Sequence, residues 1–79
     1  MQLNIAMPTQ KKTVSIAWLD INTDVGNFII QPEHAPMIVS LLPNTQIMYC
    51  LNNGKLETIN VKFGVAHITR ESVTLLLSE

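Results

Sequence analysis

Two imidazoles, one thiol and six carboxylates are the groups in this chain best suited to binding a metal or driving a reaction. A zinc site draws Cys and His ligands from short, repeated spacings. His34 and His67 lie far apart, and no Cys or His stands at ligand spacing from either. Asp20, Asp24, Glu33, Glu57, Glu71 and Glu79 are scattered, so no pair is marked out for acid–base work. Nucleophilic catalysis needs a hydroxyl or thiol beside a base that a third group orients. Ser15, Ser40, Ser72 and Ser78 sit in strand-like or turn-like contexts without a glycine-rich elbow. Gly26, Gly54 and Gly64 are isolated, which excludes a phosphate-cradling loop. Cys50, alone in an apolar stretch, reads as a small buried hydrophobe. No catalytic residue, metal ligand or cofactor is assigned, and 79 residues leave little room to enclose a substrate.

The informative stretch is Gly26-Asn27-Phe28-Ile29-Ile30-Gln31-Pro32-Glu33-His34-Ala35-Pro36. A glycine opens a short apolar strand, and two prolines then bracket a histidine. Each proline fixes one φ angle and removes a backbone donor. Each also pushes its predecessor, Gln31 or Ala35, toward an extended conformation. Residues 31–36 therefore read as a stiff, extended loop, and a stiff loop carrying an imidazole and a carboxylate is suited to docking.

The elements that position this loop show a period of two. Leu3, Ile5 and Met7 alternate with Asn4 and Ala6. Val14, Ile16 and Trp18 alternate with Ser15 and Ala17, and Val73, Leu75 and Leu77 with Thr74 and Leu76. Leu56, Ile59 and Val61 sit among Glu57, Thr58 and Asn60. Such alternation marks strands with one buried face. Met37–Leu42 is short for a helix, and Ile38 and Val39 favour a strand. Turns fall at Pro8-Thr9-Gln10, Asn22–Gly26, Pro43-Asn44, Asn52-Asn53-Gly54 and Thr69–Ser72. Asn52-Asn53-Gly54 is the strongest hairpin signal, with residue types that tolerate a primed turn. Gly64, inside a strand pattern, predicts a bulge or the close approach of another backbone. The spacing of these turns is the rhythm of a β-sandwich or barrel.

Composition bounds the function classes. The chain is a single small domain, 1–79, with 47% hydrophobic but only 14% charged residues. So few charges on a small body predict a surface covered by a partner, or self-association when isolated. Net charge is −1, only Lys11 and Lys12 are adjacent basic residues, and the four aromatic residues are not interleaved with cations. This excludes a nucleic-acid footprint. No secretory leader is visible, and no apolar run approaches the ~18 residues needed to span a bilayer. The chain is expected in the cytosol or facing it, without direct membrane insertion.

Residues 26–36 resemble the signature of the epsilon subunit of F-type ATP synthases. That pattern is roughly Gly-x-Leu/Phe-Gly-Ile/Val-x-Pro-Gly-His-Ala-Pro, followed by an apolar run such as Met37-Ile38-Val39-Ser40-Leu41. Phe63-Gly64-Val65-Ala66-His67-Ile68 resembles the family's Gly-Gly-Phe-x-x-Val segment. Ser72-Val73-Thr74-Leu75-Leu76 and the opening Leu3-Asn4-Ile5 match further strands, so the likeness covers essentially the whole chain. Ile29, Glu33 and Phe63 stand where the family usually has glycine, and each loss narrows access to positive φ.

The resemblance implies an all-β fold, a flattened β-sandwich of about ten short, mostly antiparallel strands. It implies a non-catalytic rotor subunit of the central stalk, peripheral to the membrane on its cytoplasmic face. Such a subunit grips the gamma subunit and rests on the c-ring, coupling ion flow to ATP synthesis or hydrolysis. By this resemblance Asp24, Val25, Gly26 and Asn27 face the c-ring, and His34, Ala35 and Pro36 lie against gamma. The family's C-terminal helical pair has no counterpart in these 79 residues, and a form ending at Glu79 is expected to lack its self-inhibition. Two other classes remain open on the residues alone. One is a stand-alone β-sandwich module holding a peptide at a strand edge. The other is a small hydrolase or metal protein in which the histidines or Cys50 converge.

Overall fold

The computed structural model describes residues 1–78. Eight strands and no helix occur among them: β1 (Gln2–Ala6), β2 (Lys11–Thr23), β3 (Gly26–Ile30), β4 (Met37–Ser40), β5 (Thr45–Leu51), β6 (Leu56–Val61), β7 (Gly64–Ile68) and β8 (Ser72–Leu77). The number is eight, where about ten were expected, because β2 runs unbroken for 13 residues. A sandwich that shares one long strand needs fewer separate ones.

Strand order is β4-β7-β8-β1-β2-β5-β6, with β3 pairing the far half of β2. The first half of β2 lies beside β1, from Lys11 opposite Ala6 to Ser15 opposite Gln2. Its second half pairs β5 and β3 instead. One sheet therefore reads β4-β7-β8-β1-β2 and the other β3-β2-β5-β6. All pairings are antiparallel except β1 with β8, which is parallel.

The strand changes sheets at an irregularity between Ile16 and Trp18. The alternation slips there by one residue, because a bulge inserts an unpaired position and flips every later side chain. Ile16 is buried, and the core is taken up again by Leu19, Ile21 and Thr23. Trp18, which the unbroken alternation assigns to the inner face, is only half-buried and stands opposite Cys50.

Elsewhere the period-two pattern sets the core. Leu3 and Ile5 from β1, Val73, Leu75 and Leu77 from β8, and Ala66 and Ile68 from β7 pack with Ile47 and Tyr49 from β5. Fully burying an aliphatic side chain of this size contributes about 1.5–3 kcal/mol. Cys50 is buried, as its apolar context predicts. Leu56 departs from its neighbours: Ile59 and Val61 face inward, while Leu56 is 53% exposed on the opposite face.

Turn chemistry departs from expectation in one respect. The β5–β6 turn is closed by Gly54 N donating to Leu51 O at 2.9 Å and Leu51 N donating to Lys55 O at 2.8 Å. Only Gly54 takes a positive φ, 93°, while Asn52 and Asn53 do not. This is a turn with one left-handed glycine, rather than a primed turn with two left-handed positions. Met37–Ser40 is a strand at the edge of its sheet, paired with β7.

Gly64 opens β7 under close contact. A methyl group there would lie 2.6 Å from Leu77 Cδ2, 2.9 Å from the Leu76 carbonyl oxygen and 3.1 Å from Leu41 Cδ1. The expected close approach of another backbone is therefore present.

Candidate docking surface

The β2–β3 hairpin is a two-residue turn, tighter than the five-residue region the sequence suggests. Thr23 and Gly26 are paired, leaving Asp24 and Val25 at the tip. Thr23 is 2% exposed. Its hydroxyl donates to Gly26 O at 2.8 Å and accepts from Val25 N at 3.2 Å, so a buried polar group is satisfied and the turn is braced. Gly26 has a φ of 129°, a region closed to most side chains. The Asn27 amide donates to Asp20 Oδ1 at 2.7 Å, Ile21 O at 3.1 Å and Asn22 Oδ1 at 3.1 Å. The tip is held firmly and presents Val25, 71% exposed, to solvent.

At the other end of β3 the chain enters residues 31–36. The expected fully extended loop is interrupted: His34 N donates to Gln31 O at 3.2 Å, which folds Gln31–His34 into a tight turn. Pro32 supplies the fixed φ at its second position, and Glu33 at its third has a φ of 69°. Glu33 thus adopts the left-handed backbone although it stands where the sequence resemblance puts glycine. Ile29, by contrast, lies in a regular strand, and neither Ile29 nor Phe63 has a positive φ. The turn is tied to the β7–β8 connection by Glu33 N donating to Arg70 O at 2.9 Å. His34 Nδ1 lies 2.7 Å from Ala35 O. A carbonyl only accepts, so Nδ1 carries the proton and Nε2 is left as an acceptor in the neutral ring.

Asp24–Asn27 and His34–Pro36 therefore form two separate patches, at opposite ends of a five-residue strand about 13 Å long. The structure does not bring them together.

Between them lies a feature that alternation alone left unremarked. On the outer face of the five-stranded sheet, Ser40 of β4 stands opposite Val65 of β7, which stands opposite Leu76 of β8, which stands opposite Ala6 of β1. In the neighbouring row Ile38 faces His67, then Thr74, then Asn4. Ile38, Val65 and Leu76 are exposed large hydrophobes on this face. Phe63 and Leu42, also exposed, border the same corner. From β4 to β1 His67 is the one titratable side chain of these two rows, and charge enters only where the first row reaches β2, at the exposed Lys11 opposite Ala6. The sequence signal was available: Leu76 is an apolar residue in the outward register of an otherwise alternating strand.

This face continues into the His34–Pro36 loop, because β4 begins at Met37. The outer edge of β4 is partly closed, by Asp24 N donating to Ser40 O at 3.4 Å and Leu42 N to Asn22 O at 2.9 Å. No group of three or more His, Cys, Asp or Glu side chains converges among the described residues. The arrangement is suited to covering by another protein surface, with rigid backbone and uncharged side chains.

The sequence matches, over residues 1–79, the family described as ATP synthase, Delta/Epsilon chain, beta-sandwich domain. No curated protein is significantly similar to it in sequence. Among solved structures, a chain of the Euglena gracilis mitochondrial ATP synthase (OSCP/F1/c-ring, rotational state 1) superposes with a TM-score of 0.89 at 20% identity, over 98% of this chain and 49% of that one. A chain of the Tetrahymena thermophila mitochondrial ATP synthase central stalk and c-ring gives a TM-score of 0.81 at 10% identity, over 100% of this chain and 63% of that one. The 79 residues thus span about half to two-thirds of those chains, and at these identities the likeness is one of fold.

Proposed function

This chain belongs to the delta/epsilon β-sandwich family of ATP synthases, and from that premise we propose that it is a non-catalytic rotor subunit of the central stalk. In this reading it binds the gamma subunit and the c-ring, and couples ion-driven rotation to ATP synthesis or hydrolysis. It would sit peripherally on the cytoplasmic face of the membrane. No helix among the described residues is long and apolar enough to cross one.

The observation that carries the reading is the match of the family over the whole chain, together with two braced patches flanking an apolar, sparsely charged outer face across β4, β7 and β8. We assign Asp24, Val25, Gly26 and Asn27 to the c-ring. The tip is narrow, rigid and uncharged apart from Asp24, which suits insertion among short polar loops. We assign His34, Ala35 and Pro36 to gamma, with Ile38, Val65 and Leu76 as the apolar continuation of that contact. A joint that transmits torque must be stiff, and a preorganised turn lowers the entropy lost on docking.

Single cysteines at Asn27 and His34 test the assignment, after Cys50 has been replaced to remove the native thiol. In the assembled enzyme Asn27→Cys is expected to crosslink to the c-ring and His34→Cys to gamma. Absence of both crosslinks refutes the placement. A stand-alone binding module would instead bind a peptide without gamma and fail to enter the rotor.

A further inference from the structure

We infer that Glu33 reads a cation on the partner: an arginine or lysine of the subunit covering the His34–Pro36 loop pairs with its carboxylate. The inference rests on the docking assignment proposed above and adds the chemistry of the contact.

The first observation is conformational. Among the described residues two non-glycine residues take positive φ, Asn44 at 58° and Glu33 at 69°. Asparagine tolerates this region through local hydrogen bonding, and glutamate does not share that tolerance. The third position of the Gln31–His34 turn is best filled by glycine or asparagine. A side chain kept there against backbone preference points to a use for it.

The second observation is that the chain itself makes no use of it. Glu33 is exposed, and the one ion pair among the described residues joins Lys55 to Glu57 at 3.6 Å. Arg70 is held against Glu33 through its backbone carbonyl, yet its guanidinium forms no ion pair with the carboxylate. The carboxylate thus receives no return within the fold for the strain of its backbone.

The third observation concerns the neighbour. Nδ1 of His34 is engaged by Ala35 O, which in the neutral ring leaves Nε2 as an acceptor, one residue along the chain from an acceptor-only carboxylate. Consecutive residues therefore both ask for donors. A guanidinium, with five N–H groups in a fixed fork, meets that demand better than any neutral side chain. The surroundings favour such a pair. Ala35, Pro36 and Ile38 are exposed and uncharged, so a partner resting on them excludes water and strengthens a charge-assisted bond at their margin. Arg70 and Glu71 are the other charged side chains of the adjoining turn, and they offset each other.

The test measures affinity between the full chain and the purified gamma subunit of its own enzyme, at low and high salt, for wild type, Glu33→Gln, Glu33→Lys and Ile38→Asp. Glu33→Gln keeps the backbone problem and removes the charge. It is expected to weaken binding about 5- to 30-fold at low salt, and less at high salt. Glu33→Lys is expected to weaken it further, with the thermal midpoint of the isolated chain unchanged for both variants. If Ile38→Asp disrupts binding while Glu33→Gln binds as wild type with the same salt dependence, the docking surface stands and the pairing inference is overturned. If neither Ile38→Asp nor Glu33→Lys alters affinity, or wild type does not bind, the docking assignment itself falls and this inference with it.

Discussion

Replacing Gly64 by alanine is a stringent test of the packing between β7 and β8. An ordinary van der Waals contact for a Cβ begins near 3.4 Å, and the added methyl would stand 2.6 Å from Leu77 Cδ2 and 2.9 Å from the Leu76 carbonyl oxygen. Leu77 is a flexible side chain, but it is 6% exposed and has little space into which to turn. The Leu76 carbonyl is backbone, held in a register that also pairs Leu76 with Val65 and Ala6. Overpacking of this kind costs about 1–3 kcal/mol. A clash with backbone belongs to the upper half of that range, about 2–3 kcal/mol, and loss of the glycine's freedom in the unfolded chain returns about 0.4–1 kcal/mol, so the net destabilisation is about 1–2.5 kcal/mol. For a domain of this size, that lowers the thermal midpoint by about 4–20 °C. Urea unfolding followed by Trp18 fluorescence or far-UV circular dichroism measures it directly. Gly26→Ala is the contrast, because nothing lies within 4 Å of its added methyl and its cost comes from a φ of 129° alone. A Gly64→Ala variant as stable as wild type would refute the claim that the two strands meet without room for a methyl group.

Thr23→Val removes a buried hydroxyl bonded to both Val25 N and Gly26 O. It is expected to cost about 1–3 kcal/mol and to speed amide exchange at the hairpin tip, and unchanged exchange would show that the brace is dispensable. Glu33→Gly relieves a left-handed non-glycine residue worth about 1–2 kcal/mol, less about 0.4–1 kcal/mol for the freer unfolded chain. The isolated chain should therefore unfold a few degrees higher, and a lower midpoint in differential scanning calorimetry would contradict the strain assigned to that turn.

Much of the fold could be read from residue order because most strands carry their own alternation, and β1 and β8 bury the side chains their pattern names. What escaped was the phase slip after Ile16. A bulge leaves no composition signal in Ser15-Ile16-Ala17-Trp18, and only its consequence, Leu19 and Ile21 in the core, reveals it. Glu33 escaped for a different reason: local propensity argues against a left-handed glutamate, and Pro32 with the backbone tie to Arg70 overrules it. The two candidate patches were legible as turn and loop chemistry. Their separation by the length of β3 and the apolar face linking β4, β7 and β8 depend on pairing across the sheet, which no single stretch of sequence contains.

The passage of β2 from one sheet into the other bears on how the body deforms. Two layers held together only by side-chain packing can slide past one another under a twisting load, since dispersion contacts resist shear weakly. Here an unbroken main chain belongs to both layers, and lateral slip would have to bend or stretch covalent geometry at the Ile16–Trp18 crossing. Force entering at the Asp24–Val25 tip would travel along that backbone into the strands beside β1, so the slab should behave as a single plate rather than as a pair of leaves.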